Sequence, residues 1–276
     1  MYLRPARLSE AQEALASRPF TLVAGGTDHY PARVGRAPKE DILDLTGIPE
    51  LRGIRRTSGG WRIGATTTWT EVIEAKLPPL FDALKVAARE VGGMQIQNAG
   101  TVAGNLCNAS PAADGVPALL ALDAAVELAG RGGGRTLPLE AFIVGPRKTA
   151  LEPGEIVTAI HVPAPHGAAH SHFAKIGARK YLLISIAMVA AVIETERKVV
   201  RAARIAVGAC SPVAMRLRAL EDALLGVPAA ELGPQVQAEH FAKLAPIDDV
   251  RASAAYRLDA ALTLVKRTLD ELGGRS

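Results

Sequence analysis

The chain has 276 residues, 49% hydrophobic and 22% charged, the composition of a folded protein long enough for two domains. Lys plus Arg exceed Asp plus Glu by only 32 to 28, without blocks of like charge, and aromatics make up 4%, which argues against a nucleic-acid groove lined with stacking rings. Two cysteines, Cys107 and Cys210, without CxxC spacing rule out an iron–sulfur cluster or a cysteine-rich zinc site held by this chain alone and point to reduced thiols in a cytoplasm.

The N-terminal Met1-Tyr2-Leu3-Arg4-Pro5 has no signal-peptide core, and the apolar run Tyr181–Ile193, broken by Ser185, is too short to span a bilayer. Ser9-Glu10-Ala11-Gln12 reads as a capping box opening a short helix. Thr21–Ala24 reads as a buried strand running into Gly25-Gly26, and Asp41–Leu45 as a second strand, a β-α-β style unit over about residues 1–50. A second unit begins with a strand at Gly60–Ala65 and a capping box at Thr68-Trp69-Thr70-Glu71. Leu80, Leu84, Ala87 and Val91 then share one helix face. Asn98–Asp114 reads as a long turn-rich loop of small residues, followed by an apolar helix at Val116–Leu122. A strand at Ala124–Ala129, a glycine-rich turn at 130–135 and a strand at Glu155–Val162 close this unit.

Pro163–Ala169 reads as a linker. Beyond it come three strand-like runs, His172–Ala178, Ser185–Glu194 and Arg201–Cys210, and then three helical runs. The last run carries the stripe Leu258, Leu262, Val265, Leu269, Leu272. Strands grouped before helices predict an α+β module separate from the front half.

Two segments stand out chemically, Val23-Ala24-Gly25-Gly26-Thr27-Asp28 and Gly100-Thr101-Val102-Ala103-Gly104-Asn105. Both are nearly free of bulk, so their backbones can approach a ligand and aim N–H groups at an anion. An elongated, doubly phosphorylated cofactor needs two such segments along its length. Either alone is weak, since a Gly-Gly pair after a strand is ordinarily a turn. Neither has the GxGxxG spacing of the doubly wound dinucleotide fold, nor the Gly-Lys-Ser/Thr of a P-loop.

Together with their flanks, these segments resemble the FAD-binding (medium) subunit of the molybdenum hydroxylases. That group includes the flavin subunit of bacterial carbon monoxide dehydrogenase and the flavin domain of xanthine dehydrogenase. The resemblance is carried by Ala24–Asp28, by Asp41–Leu45, by Gly100–Asn105 running through Ser110-Pro111-Ala112-Ala113-Asp114, and by Gly145-Pro146-Arg147-Lys148-Thr149 with Glu155-Ile156-Val157. It covers nearly the whole chain. It implies an α+β fold: a two-subdomain PCMH-type FAD-binding unit over 1–165, divided at about 55, and a C-terminal module over 170–276 of a three-stranded antiparallel sheet with helices.

The resemblance also implies FAD as cofactor. Val23, Ala24, Gly25, Gly26, Thr27 and Asp28 would hold it together with Gly100, Thr101, Val102, Ala103, Gly104 and Asn105. Backbone N–H groups of 24–28 and 101–105 would surround the pyrophosphate, and Thr27, Thr101 and Asn105 would add side-chain hydrogen bonds. Asp114 matches a carboxylate that hydrogen-bonds the cofactor, Val157 an apolar position beside the flavin, and Lys175 a lysine near the isoalloxazine. A cation there lowers the cost of accepting electrons, although a lone strand lysine is ordinarily solvated; Arg179 is a weaker candidate of the same kind.

On this reading the chain is an electron-transfer subunit of a cytoplasmic complex, with no acid–base pair and no metal ligand of its own. Its partners would be a small subunit with two 2Fe–2S clusters and a molybdopterin-binding large subunit, in a dimer of heterotrimers, without nucleic acid or a membrane span. A free-standing FAD-dependent oxidoreductase is the rival, with Tyr181 or His172 as first candidates for a base. A non-catalytic interaction module is a second rival, against which both bulk-free loops speak. Departures from the family pattern include His29 after Asp28, read as solvent-facing, and Ala103 where Gly is frequent. Leu182 and Leu183 stand where many relatives carry acids, which withholds any inference about NAD. His166, His170 and His172 form a loose cluster lacking a carboxylate or cysteine at useful spacing, and Cys107 reads as a small apolar filler.

Overall fold

The computed structural model describes residues 1–35, 39–178 and 184–275. Strand β1 (Tyr2–Leu3), helix α1 (Leu8–Ser17), strand β2 (Thr21–Val23) and strand β3 (Ile42–Asp44) open the chain. The three strands pair in parallel in the order β1-β3-β2, so the chain must cross over between them, and α1 makes the first crossing. Ala11 of α1 packs with Leu43, Leu45, Ile48 and Leu51 in a small core. The capping box expected at Ser9 does not form. The helix starts two residues earlier, with Arg7 at the cap position and no side-chain cap. Glu10 turns back instead and accepts from the Ala6 N–H and from Arg7 Nε, each at 2.9 Å.

Strands β4 (Ile54–Thr57) and β5 (Gly60–Gly64) follow, then helices α2 (Trp69–Glu74), α3 (Asp82–Glu90), α4 (Met94–Ala99), α5 (Val102–Asn108) and α6 (Gly115–Ala121). The capping box at Thr68 is realised, with Glu71 Oε2 accepting from the Thr68 N–H at 2.8 Å. Next come strands β6 (Ala125–Gly130) and β7 (Gly133–Pro138), helix α7 (Leu139–Phe142), the short pair β8 (Ile143–Gly145) and β9 (Lys148–Thr149), and strand β10 (Ile156–Pro163). Five strands form an antiparallel sheet, β4-β5-β10-β6-β7, with β10 at its centre. The stretch Asn98–Asp114 is therefore not one long loop. Val102 and Leu106, four residues apart, are both buried and drive α5, while Thr101 caps it by accepting from the Gly104 N–H at 3.1 Å.

Strands β11 (Ala168–Ile176), β12 (Ala187–Glu196) and β13 (Val199–Gly208) form the C-terminal antiparallel sheet, which gains a two-residue fourth strand, β14 (Met215–Arg216). Helices α8 (Arg218–Ala223) and α9 (Ala254–Gly273) follow, and only 3-10 turns lie between them where a third helical run was expected. Along β12, side chains alternate between two cores. Met188, Ala190 and Val192 join the core of the preceding unit, while Ala187, Val189, Ala191 and Ile193 pack with Val265, Leu269 and Leu272 of α9. A strand buried on both faces needs an unbroken apolar run, which is what Ala187–Ile193 supplies. The sheet is thus a middle layer between α3 and α6 on one side and α9 on the other, so the C-terminal module packs directly on the front half. Among the described residues, no helix is long and apolar enough to cross a membrane.

Candidate functional site

Strand β2 runs straight into Ala24–Asp28, and the second segment comes up against it. A Cβ at Gly25 would lie 1.9 Å from the Ala99 carbonyl oxygen and 2.9 Å from Gly100 Cα, so only glycine lets the two backbones meet. Thr27 Oγ1 lies 3.3 Å from the position of a Cβ on Gly100. The two small-residue segments are therefore one structure, closed by contacts between their own main chains.

Their donors are in different states. Among the described residues, the N–H groups of Gly25, Gly26, Thr27 and Asp28 carry no hydrogen bond. In the second segment those of residues 102–105 are taken. Val102 donates to Thr67 O at 2.9 Å, Ala103 to Ala65 O at 3.3 Å, Gly104 to the Thr101 hydroxyl, and Asn105 to Thr101 O at 3.1 Å. Helix formation and packing on Ala65–Thr67 engage the amides of residues 102–105. What α5 offers is side chains. Asn105 Oδ1 is buried without a hydrogen-bond partner, close against Gly115, a condition that costs about 1–3 kcal/mol until a donor arrives.

Two adjoining cavities run along this seam. One, of about 490 Å³, is lined by Gly25–Asp28, Gly100, Thr101 and Asn105, with Val91 and Ile96 at one side. The other, of about 350 Å³, is apolar, walled by Leu15, Phe20, Leu45, Leu151 and Val157. Val23, Ala24, Gly104 and Cys107 line both and so form the passage between them. Ala103 lines the apolar cavity, whereas Val102 lines neither and points into the core. Cys107 is no core filler: it is open to solvent through the cavities, while the dense wall around its thiol pushes its pKa up to about 12.

Asp114 and Lys175 lie beside this cleft without lining either cavity. Along β11, Ser171 and Phe173 face the preceding unit, where the Ser171 hydroxyl accepts from the Ala83 N–H at 2.8 Å. The strand period of two places Lys175 on that same face. Its Nζ lies 3.2 and 3.3 Å from the two Asp114 carboxylate oxygens, 3.4 Å from Glu90 Oε2 and 3.5 Å from the Glu90 carbonyl oxygen. Ser185 Oγ donates to Asp114 at 2.8 Å. Burial pushes the Asp114 carboxyl above its ordinary pKa, against the opposing pull of Lys175 and Ser185.

At the mouth of the cleft, Arg147 reaches Asp28 Oδ2 at 3.1 Å and also holds Asn108, bridging the first segment to the end of α5. His29 is not solvent-facing; its side chain is 14% exposed, edge-on to Tyr30 and 3.6 Å from Glu40. His170 and His172 alternate with the core-facing Ser171 and Phe173, so His172 turns toward α9, where Arg275 and Glu271 lie near it. Arg179, Tyr181, Leu182 and Leu183 lie outside the described residues. Reading the sequence singled out Leu45 and Arg147 only within the motifs of the resemblance, and it missed Phe20 and Glu90 as parts of this region. An acid as the last residue of an amphipathic helix, as Glu90 is, runs against the helix dipole and was the one available signal.

Residues 1–165 match the family described as the FAD binding domain in molybdopterin dehydrogenase, and residues 172–272 match the CO dehydrogenase flavoprotein C-terminal domain. The chain is 33% identical to the xanthine dehydrogenase FAD-binding subunit of Escherichia coli O157:H7, over 98% of this chain and 94% of that protein. It is 31% identical to the nicotine 6-hydroxylase medium subunit of Paenarthrobacter nicotinovorans, over 100% of this chain and 98% of that protein. Among solved structures, carbon monoxide dehydrogenase from Hydrogenophaga pseudoflava, lacking the Mo-pyranopterin moiety of its cofactor, matches with a TM-score of 0.87 at 30% identity, covering 99% of this chain and 97% of that one. With the glycine seam, the cleft and these likenesses together, the chain belongs to the family of FAD-binding subunits of molybdopterin dehydrogenases.

Proposed function

We propose that this chain is the electron-transfer flavoprotein subunit of a molybdenum hydroxylase complex. It takes electrons from the 2Fe–2S clusters of a small partner subunit, while a molybdopterin-binding large subunit oxidises the substrate, and it passes them to an external acceptor. The complex is a cytoplasmic dimer of heterotrimers. Residues 1–165 hold the cofactor, and 170–276 bring up Lys175.

The cleft fits FAD in its donor set. The free N–H groups of Gly25–Asp28 suit a diphosphate, which accepts hydrogen bonds and donates none. Thr27, Thr101 and Asn105 add side-chain groups beside them, and the buried Asn105 amide oxygen awaits a donor such as a ribityl or ribose hydroxyl. Bound FAD supplies a ring that takes up and passes on electrons. Lys175 adjoins the loop cavity through Glu90, next to the lining residue Val91, and is the cation suited to a ring that gains negative charge. Val157 lies in the apolar cavity beyond the passage, so on this reading it serves the adenine end, not the flavin as the sequence suggested.

The observation that carries the assignment is the backbone-to-backbone seam at Gly25, which leaves one set of N–H donors free above a two-part cleft. The test is titration of the purified chain with FAD, followed by flavin absorbance and fluorescence. One-to-one binding, lost when Gly26 and Gly104 are each replaced by a bulky residue, is expected. In the reconstituted complex the partner clusters should reduce the bound FAD faster than free FAD; equal rates would remove the electron-transfer assignment.

A further inference from the structure

We infer that Glu90, through its contact with Lys175, sets the reduction potential of the bound flavin. The inference rests on the reading that FAD lies with its ring toward Lys175. Lys175 is 9% exposed at its side chain and has two carboxylates within 3.4 Å, Asp114 and Glu90. One cation between two acids leaves a formal charge of −1 when all three are ionised. The C-terminus of α3 adds to this, because the Glu90 carbonyl also faces Nζ at 3.5 Å.

The two acids are not equivalent. Asp114 is buried and also holds Ser185, so changing it disturbs packing and a cofactor contact together. Glu90 is 33% exposed at its side chain and pairs with Lys175 from the solvent side. Its carboxylate offsets part of the lysine's field at the ring and adds a negative charge of its own. When the ring gains two electrons and one proton, one negative charge stays on it, and Glu90 opposes that charge. Glu90 is thus a positioning and tuning residue that acts through Lys175.

The experiment compares wild type with Glu90→Gln and Glu90→Asp as purified, FAD-loaded chains. Dithionite supplies the two electrons, solvent supplies the proton, and a redox dye reports the midpoint. Glu90→Gln should keep one FAD per chain and raise the ratio of reduced to oxidised flavin at fixed solution potential about tenfold, ~30 mV for a two-electron couple. Glu90→Asp, which draws the charge back by one methylene, should shift it in the same direction by less. Full FAD content with an unchanged potential in Glu90→Gln overturns the inference and leaves Glu90 as a helix-end partner of Lys175 only. If Glu90→Gln does not retain FAD, the potential of Glu90→Asp decides: a rise supports the inference and no change overturns it. A wild-type chain that binds no FAD overturns the underlying reading instead.

Discussion

Lys175, on the first strand of the C-terminal sheet, and Asp114, at the threshold of helix α6, meet across the two halves of the chain with Nζ 3.2 Å from Oδ1. Both side chains are nearly buried, at 9% and 11% exposure. The pair adjoins the cleft and holds the C-terminal sheet against the front half. Removing the lysine leaves Asp114 buried and facing Glu90. Lys175→Met should therefore cost about 3 kcal/mol of stability by urea denaturation, the range found when one partner of a buried pair is removed. Asp114→Asn should cost less, because Lys175 keeps Glu90.

Asn105 gives a prediction with two signs. Its Oδ1 is buried without a partner, so Asn105→Leu should leave the cofactor-free chain as stable as wild type or slightly more so, by thermal melting. The same substitution should weaken FAD binding at least about tenfold, by fluorescence titration, because a hydrogen bond made only to the ligand is gone. Equal affinity in the two proteins would show that Asn105 does not face the cofactor.

Gly25→Ala should be far more damaging than Gly132→Ala. At Gly25 the added carbon meets the Ala99 carbonyl at 1.9 Å, and at Gly132 it meets nothing within 4 Å. The first variant should part the seam and lose FAD binding, while the second should melt and bind as wild type does.

Cys107 should react slowly with iodoacetamide near neutral pH and faster as pH rises toward its pKa of about 12, since the thiolate is the nucleophile. It lines both cavities, so bound FAD should slow the reaction further, which mass mapping against Cys210 would read directly.

On the central sheet, Glu127 makes a pH prediction. Burial alone would raise its carboxyl, but hydrogen bonds from Arg62, Thr158 and His161 bring it down from 4.5 to about 2. A carboxylate whose pKa is depressed by folding adds stability above its unfolded value and loses it as pH falls through the folded one. The urea midpoint should therefore drop as pH goes from 4.5 toward 2, and Glu127→Gln should flatten that part of the profile.

Much of the order of elements could be read directly. The capping box at Thr68, the strand at Gly60–Gly64 and the α9 stripe are local patterns whose physics is complete within a few residues. Ser9 failed by the same standard, because the helix starts before it, at Leu8, and Glu10 bonds the Ala6 N–H upstream. The helix at Val102–Asn108 was hidden because its apolar signal is two residues, Val102 and Leu106, among small ones that suit turns equally well.

The sequence by itself determined that two bulk-free segments exist, that this chain alone cannot hold a cluster, and that the run Ala187–Ile193 would be apolar throughout. Only the tertiary structure decided that Gly25 and Gly100 touch, which amides stay free, and that Lys175 finds Asp114 and Glu90 from two other elements. The reason is physical. Propensity and periodicity act over a turn or two of chain, whereas burial and charge pairing depend on which distant surfaces the folded core brings together.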